Sequence, residues 1–271
     1  MKIKFAKYQG TGNDFILVDD REKTFPADQV KLIESLCDRR FGVGADGLIL
    51  LQNHANGDFY MQYFNSDGKE SSMCGNGGRC ITQFAFDLGL VKEVTTFYAI
   101  DGIHQAKSIQ DSNANLLVSL QMMNVPKIEQ RDGKVFVLNT GSPHFVKFVS
   151  EPVSELNLLE EARLIRYNPE FSNSGINVNF VNLVSLKEIT IRTYERGVED
   201  ETFSCGTGAT ASALSTAVFN NLHSGVHQVK VKVNGGDLVV RFTFQKDNCS
   251  FSDIWLEGPA RMVYEGAILT A

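Results

Sequence analysis

The sequence predicts a mixed α/β protein built from two similar halves, each holding a helix that opens on a cysteine. Three observations point there. Strand-like alternation and helix-like periodicity interleave along all 271 residues. The element Cys-Gly-x-Gly occurs at Cys74 and again at Cys205, each time leading into a helix-compatible run, with about half of the chain between them. Upstream of each lies a strand ending in polar residues, Asn65 in one case and Glu195-Arg196 in the other. No Pro/Ser-rich linker divides the halves, so two domains packed together with a site in the cleft between them are expected.

In order, residues 2–7 alternate polar and apolar and read as a strand, 10–14 as a glycine-rich turn, and 15–18 as a second strand. Residues 27–40 read as a helix, with Val30, Ile33 and Cys37 on one face and Leu32 and Leu36 widening it. A glycine-rich turn at 41–47 leads to a buried strand, 48–51. A strand carrying Phe59, Met61 and Tyr63 then ends in a hairpin-like turn at 64–68. After Cys74, Ile81, Phe84, Ala85 and Leu88 form the apolar face of a helix that Gly89 stops. Strands near 95–99 and 116–122 follow.

The second half repeats this loosely. Strands are expected at 134–138 and 145–149, a helix within 153–164, and strands at 176–183 and 189–194. The Cys205 helix is dominated by Ala and Ser, and a helix with no polar face is enclosed on all sides, here by a wrapped sheet. Residues 229–233 and 238–244 make a hairpin about Asn234-Gly235-Gly236, and Trp255 lies in one more strand.

Composition narrows the class. With 43% hydrophobic and 21% charged residues the chain is a soluble globular protein. A net charge of −6 gives no reason to expect nucleic acid as partner. No apolar run approaches the roughly 18–20 residues needed to cross a bilayer. Lysines alternate with apolar residues up to Gly10, unlike a secretory signal. Five cysteines, an odd number, point to reduced thiols in the cytoplasm. Cys37, Cys80 and Cys249 are read as core residues. There is no paired Cys-x-x-Cys, and the five histidines lack metal-ligand spacing, so neither a metal nor a cofactor is expected.

The repeated cysteine carries the chemistry. A helix N-terminus offers unpaired N–H groups and partial positive charge, which favour a thiolate and suit a substrate carboxylate. Gly75, Asn76, Gly206 and Thr207 supply such N–H groups, and the glycines allow close approach. Two such thiols around one anion pocket suit removal of a proton from one face of a carbon and its return to the other, as in an amino-acid racemase or epimerase. His144, in Gly-Ser-Pro-His, sits in a tight turn from which it could orient a thiol. Glu195 and Arg196 form either a surface pair of little energetic value or a clamp for substrate charges. A redox pair cycling a disulfide is another class, in which oxidation would more naturally inactivate.

The ordered set Gly-Thr-Gly-Asn-Asp-Phe, Phe-Asn-Ser-Asp-Gly, Cys-Gly-Asn-Gly-Gly-Arg-Cys, Gly-Ser-Pro-His, Ile-Asn-Val-Asn-Phe, Tyr-Glu-Arg-Gly-Val and Cys-Gly-Thr-Gly-Ala resembles the diaminopimelate epimerases. Gly258 to Tyr264 is similar to that family's C-terminus. The resemblance implies two pseudo-symmetric α/β halves, 1–115 with 263–271 and 116–262, each a curved mixed sheet around a central helix. It implies cofactor-free interconversion of LL- and meso-diaminopimelate in lysine and peptidoglycan precursor biosynthesis, by a cytoplasmic homodimer. Cys74 and Cys205 are then the acid/base thiols. Asn13 and Asn76 contact substrate, and Gly75, Gly206 and Thr207 cradle the reacting carboxylate. Asn65, Asn177 and Arg196 hold the distal end, Glu195 contacts substrate and supports the thiols, His144 supports catalysis, and Tyr264 lies in the dimer contact. A related proline racemase-like enzyme is the alternative. Two positions depart from the family pattern: Gly47, where glutamine is common, and Ser142, where asparagine is common.

Overall fold

The computed structural model describes residues 2–110 and 116–269; the expected domain edge at 115 lies outside the described residues. In chain order the elements are β1 (Lys2–Gly10), β2 (Asn13–Asp19), α1 (Val30–Cys37), β3 (Gly47–Gln52), β4 (Phe59–Asn65), β5 (Glu70–Ser71), α2 (Gly75–Asp87), β6 (Val94–Ala99), β7 (Gly102–Gln110) and β8 (Leu116–Gln121). There follow β9 (Glu129–Gln130), β10 (Val135–Asn139), β11 (Pro143–Val149), a 3-10 turn (Val153–Glu155), α3 (Leu158–Arg166), β12 (Asn177–Ser185), β13 (Glu188–Glu195), β14 (Asp200–Thr202), α4 (Gly206–Phe219), β15 (Gly225–Val233), β16 (Gly236–Gln245), β17 (Ser250–Gly258) and β18 (Arg261–Leu269). Two compact units result: Met1–Leu120 with Gly258–Ala271, carrying Cys74, and Gln121–Glu257, carrying Cys205.

Strand pairing repeats from one unit to the other. In the first, β1–β2 is antiparallel, β2–β3 parallel, β3–β4 antiparallel, β4–β6 parallel and β6–β7 antiparallel. In the second, β10–β11, β11–β12, β12–β13, β13–β15 and β15–β16 follow the same senses in the same order. The parallel steps are bridged by α1 and α2 in one unit and by α3 and α4 in the other, as parallel neighbours require a crossover. Each unit is therefore a mixed sheet with one helix outside and one inside.

The inner helices are buried for most of their length. α2 lies against β1–β4, β7 and β18 of its own unit, and α4 against β10–β13, β15 and β16. From Gly208 to Ala217 every residue of α4 is buried, as its lack of a polar face demands. Three of its hydroxyls survive there by bonding back to the helix: Thr210, Ser215 and Thr216 donate to the carbonyls of Gly206, Ala211 and Ser212 at 2.8–2.9 Å. The outer helix α1 closes a second cluster with Ile33, Leu36 and Cys37 over Leu48, Leu50 and Phe64.

Several expectations need correcting. The helix expected at 27–40 is confined to Val30–Cys37, because Asp38 turns extended and its carboxylate accepts the amides of Arg40 and Phe41. Val30 and Leu88, assigned to apolar faces, are exposed at helix ends. The helix expected at 153–164 is a 3-10 turn followed by α3, since Leu156 is extended and Asn157 starts a new helix, its amide bonded to Glu160. Cys249 is no core residue: it lies half-buried in the β16–β17 turn with φ 51°. Strands β7 and β18 carry too little alternation to have been read in advance.

Candidate active site

Cys74 and Cys205 are the N-cap residues of α2 and α4. Both are extended, with φ/ψ of −89°/133° and −117°/109°, and neither thiol caps its own helix. Their carbonyls accept the first helical bonds, from Gly78 at 2.7 Å and Ala209 at 2.8 Å. The amides at the start of each helix, Gly75 and Asn76 or Gly206 and Thr207, lie at the positive end of a helix dipole, the place for an anion. Cys37 and Cys80, by contrast, are buried among apolar groups, and burial pushes both thiols up to about 12.

In the first unit Asn13 Oδ1 accepts from the Cys74 thiol at 3.7 Å and from Asn76 Nδ2 at 3.2 Å. Asn13 Nδ2 donates to Asp46 Oδ2, and the other oxygen of Asp46 takes Arg39 at 2.7 Å. Arg39 also grips Asp14, which pairs with Lys7 at 2.7 Å. Burial alone would raise Asp14, but hydrogen bonds from Arg39 and Lys7 hold its carboxyl well below the usual range. At the other end, fully buried Arg79 donates through Nη2 to Asn76 Oδ1 at 3.0 Å and Thr11 Oγ1 at 3.1 Å. Arg79 thus ties the β1–β2 turn to the first turn of α2.

Asn65 is exposed at the end of β4, in register with Gly47. Gly47 has a physical reason: a Cβ there would fall 2.5 Å from the Phe64 carbonyl oxygen and 2.6 Å from the Tyr63 ring. Tyr63 fills the space that a longer side chain at 47 would need.

In the second unit Cys205 Sγ lies 3.4 Å from Thr207 Oγ1, and the Thr207 carbonyl accepts from Thr140 at 2.8 Å. Beneath that turn Asn179 donates to His144 Nδ1 at 3.1 Å and accepts from Thr193 at 3.0 Å. That bond leaves the neutral imidazole's proton on Nε2, an assignment set by the hydrogen-bond network. Burial, reinforced by the Arg196 charge, pulls His144 down to about 3, so it is neutral throughout the physiological range. Asn177 is buried opposite His144, donates to Ser142 Oγ at 2.8 Å and accepts the Arg196 amide at 2.9 Å. Arg196 itself is exposed and reaches Ser142 Oγ at 3.5 Å. Ser142 therefore joins Asn177 to Arg196, and Glu195 ends the adjoining strand β13.

The structure thus gathers Asn13, Cys74 and Asn76 in one set, and Asn177, Ser142 and Arg196 in another, with Cys205 beside Thr207. Tyr264 stands apart: on β18, edge-on to Phe5 at 6.0 Å and bonded to the Val43 carbonyl, it belongs to the α1 side of its sheet. Sequence reasoning missed Thr11, Arg39, Asp46, Arg79 and Asn179. The available signal was Arg79 itself, a charge in the stretch just after Cys74, and Asp14 and Asp46, one in each glycine-rich turn.

The diaminopimelate epimerase family model matches residues 5–125 and 136–263. A diaminopimelate epimerase of Flavobacterium psychrophilum is 50% identical over 266 residues, covering 98% of this chain and 100% of the relative. Another, of Chlorobaculum tepidum, is 39% identical over 265 residues, covering 96% and 98%. Among solved structures, a Bacillus anthracis phenazine biosynthesis protein of the PhzF family shares the fold, with a TM-score of 0.76 at 15% identity and full coverage of both chains. With both halves matched by one family model and half the residues identical to a relative of the same length, this chain belongs to the diaminopimelate epimerase family.

Proposed function

We propose that this chain interconverts LL- and meso-diaminopimelate by moving a proton between Cys74 and Cys205 across one α-carbon. The observation that carries the reading is the matched placement of the two thiols, each capping the buried helix of one repeat in a chain of this family. An amino-acid α-hydrogen is a very weak acid, so the site must stabilise developing negative charge by fixed donors with water excluded. The amides of Gly75, Asn76, Gly206 and Thr207 hold the reacting carboxylate, and Asn13 and Asn76 orient it. One thiolate takes the proton while the opposite thiol delivers another, so inversion needs no movement of the substrate and no pyridoxal phosphate or metal.

The distal end is held by Asn65, Asn177, Glu195 and Arg196. Ser142 supports the reading by keeping Asn177 and Arg196 together, and the guanidinium suits a second carboxylate. A small cyclic substrate such as proline has no use for these groups. Glu195 and neutral His144 support the thiols, His144 as a hydrogen-bond donor rather than a proton store. The two halves, 1–115 with 263–271 and 116–262, each supply one thiol. The enzyme works in the cytoplasm as a homodimer joined through the exposed face around Tyr264, in the supply of lysine and peptidoglycan precursors.

Turnover of purified protein on LL-diaminopimelate, with proline and lysine as control substrates and chelator present, tests this. Meso product without added cofactor, and no racemisation of either control, is expected. Turnover of proline at a comparable rate, or activity lost to chelator, would overturn it.

A further inference from the structure

The hydrogen bonds through the first-unit site all run one way. The Arg79 guanidinium can only donate, so Asn76 must turn its oxygen to it and its nitrogen outward. That nitrogen donates to Asn13 Oδ1. At the far end the Asp46 carboxylate can only accept, so Asn13 must turn its nitrogen to it. Neither amide is able to flip without setting donor against donor or acceptor against acceptor. The result is that an oxygen, not an N–H, is held against the Cys74 sulfur.

We propose that Asp46 is a positioning residue: with Arg39 bracing it, it pins the Asn13 amide so that the oxygen faces the Cys74 thiol and holds that sulfur as S–H until substrate arrives. The proposal rests on the two-thiol reading for its consequence, since an acceptor at Cys74 makes it the proton donor of the resting pair. An acceptor stabilises the protonated sulfur, whereas a donor would stabilise the thiolate. This opposes the helix N-terminus, which draws both thiols toward thiolate. The charged groups around this first turn are Arg79 on α2, Lys7 and Asp14 on β1 and β2, Arg39 and Asp46 between α1 and β3, and Asp101, which accepts the Met73 amide at 3.2 Å and binds His104. The buried Cys80 thiol stays protonated. Cys205 has as a neighbour the Thr207 hydroxyl, a group able to donate.

The test reads Cys74 without requiring turnover. In the Cys205→Ser enzyme, which removes coupled titration of the pair, the pH midpoint of iodoacetamide alkylation is followed on the Cys74 peptide. Asp46 and Arg39 are exposed, so Asp46→Asn leaves the fold in place. It removes the bond that anchors the Asn13 nitrogen, leaving Asn76 alone to hold the oxygen at the sulfur, and the reactive fraction at pH 7 is expected to rise about threefold to tenfold, a midpoint lowered by roughly half a unit to one unit. In an Asn13→Ala background the same change should give no further rise, because the effect passes through the amide. An unmoved midpoint in Asp46→Asn would overturn the proposal. So would the same rise with or without the Asn13 side chain, which would mark simple loss of a nearby charge. Failure of the enzyme to epimerise diaminopimelate would instead strike the functional reading and leave these midpoints unchanged.

Discussion

The two units share a strand order and a capping cysteine, yet they surround the sulfurs differently. Around Cys74 the polar groups are charged at their ends: Arg79 at one side, Asp46 and Arg39 at the other, with two amides between. Beside Cys205 the Thr207 hydroxyl is neutral. Thr210, which stands where Arg79 does relative to its cysteine, spends its hydroxyl on its own helix, and His144 is uncharged. Where the second unit sets His144 opposite Asn177, the first sets Phe15 opposite Gly47. A duplicated frame with unlike linings suits the proposed reaction, in which one end of the substrate reacts while the other is held.

The largest expected effect tests what the halves have in common. Cys74→Ala and Cys205→Ala should each lower kcat by about 10³-fold or more with the fold intact, as loss of an acid or base in proton transfer does. A variant retaining brisk two-way turnover would show that the halves do not contribute equally. Next comes their sharpest difference. Arg79→Met should lower kcat/KM by roughly tenfold to a hundredfold through the loosened Asn76 and β1–β2 turn, whereas Thr210→Val should cost about 1 kcal/mol of stability and little activity. Similar activity losses in both would erase the distinction.

The equivalent glycines sharpen it further. A Cβ at Gly208 would lie 2.5 Å from Asn179 Oδ1, which is held in a buried network, while one at Gly77 would meet the tip of Ile49 at 3.1 Å. Gly208→Ala is therefore expected to lose about 2 kcal/mol in denaturant unfolding, and Gly77→Ala about 1 kcal/mol or less. The last comparison concerns pH. His144 titrates at about 3 in the folded protein against an ordinary 6.5, so between those values the unfolded chain binds a proton that the native state refuses. Stability is full above pH 6.5 and falls toward pH 3, by at most about 1.4 kcal/mol per unit from this residue. Unfolding curves of His144→Gln should show a shallower loss over that window.

The repeat and its two thiols were legible because they rest on local rules. Cys-Gly-x-Gly before a periodic run marks a helix start, and the Ala/Ser content of α4 marks a helix enclosed by strands. Helix ends were less legible, since Asp38 and Asn157 act through local side-chain bonds that periodicity does not see. The relay through Asp46, Asn13, Asn76 and Arg79 joins three separate stretches of sequence, so only the folded sheet makes it visible. Ser142 and Gly47, read as departures from the family pattern, gain their reasons from neighbours on other strands or turns: Asn177 and Arg196 for the first, Tyr63 and Phe64 for the second.

The central claim, that two sulfurs serve opposite faces of a single carbon, is tested most directly by the label acquired in deuterated water during the first few per cent of conversion of LL-diaminopimelate. The thiol that delivers hydrogen to the new face exchanges with solvent, while the one that removes it returns its own. Meso product carrying deuterium at the inverted centre, with recovered LL substrate still unlabelled, is the result expected. Deuterium appearing equally in recovered substrate and product would mean that one base serves both faces, and would contradict it.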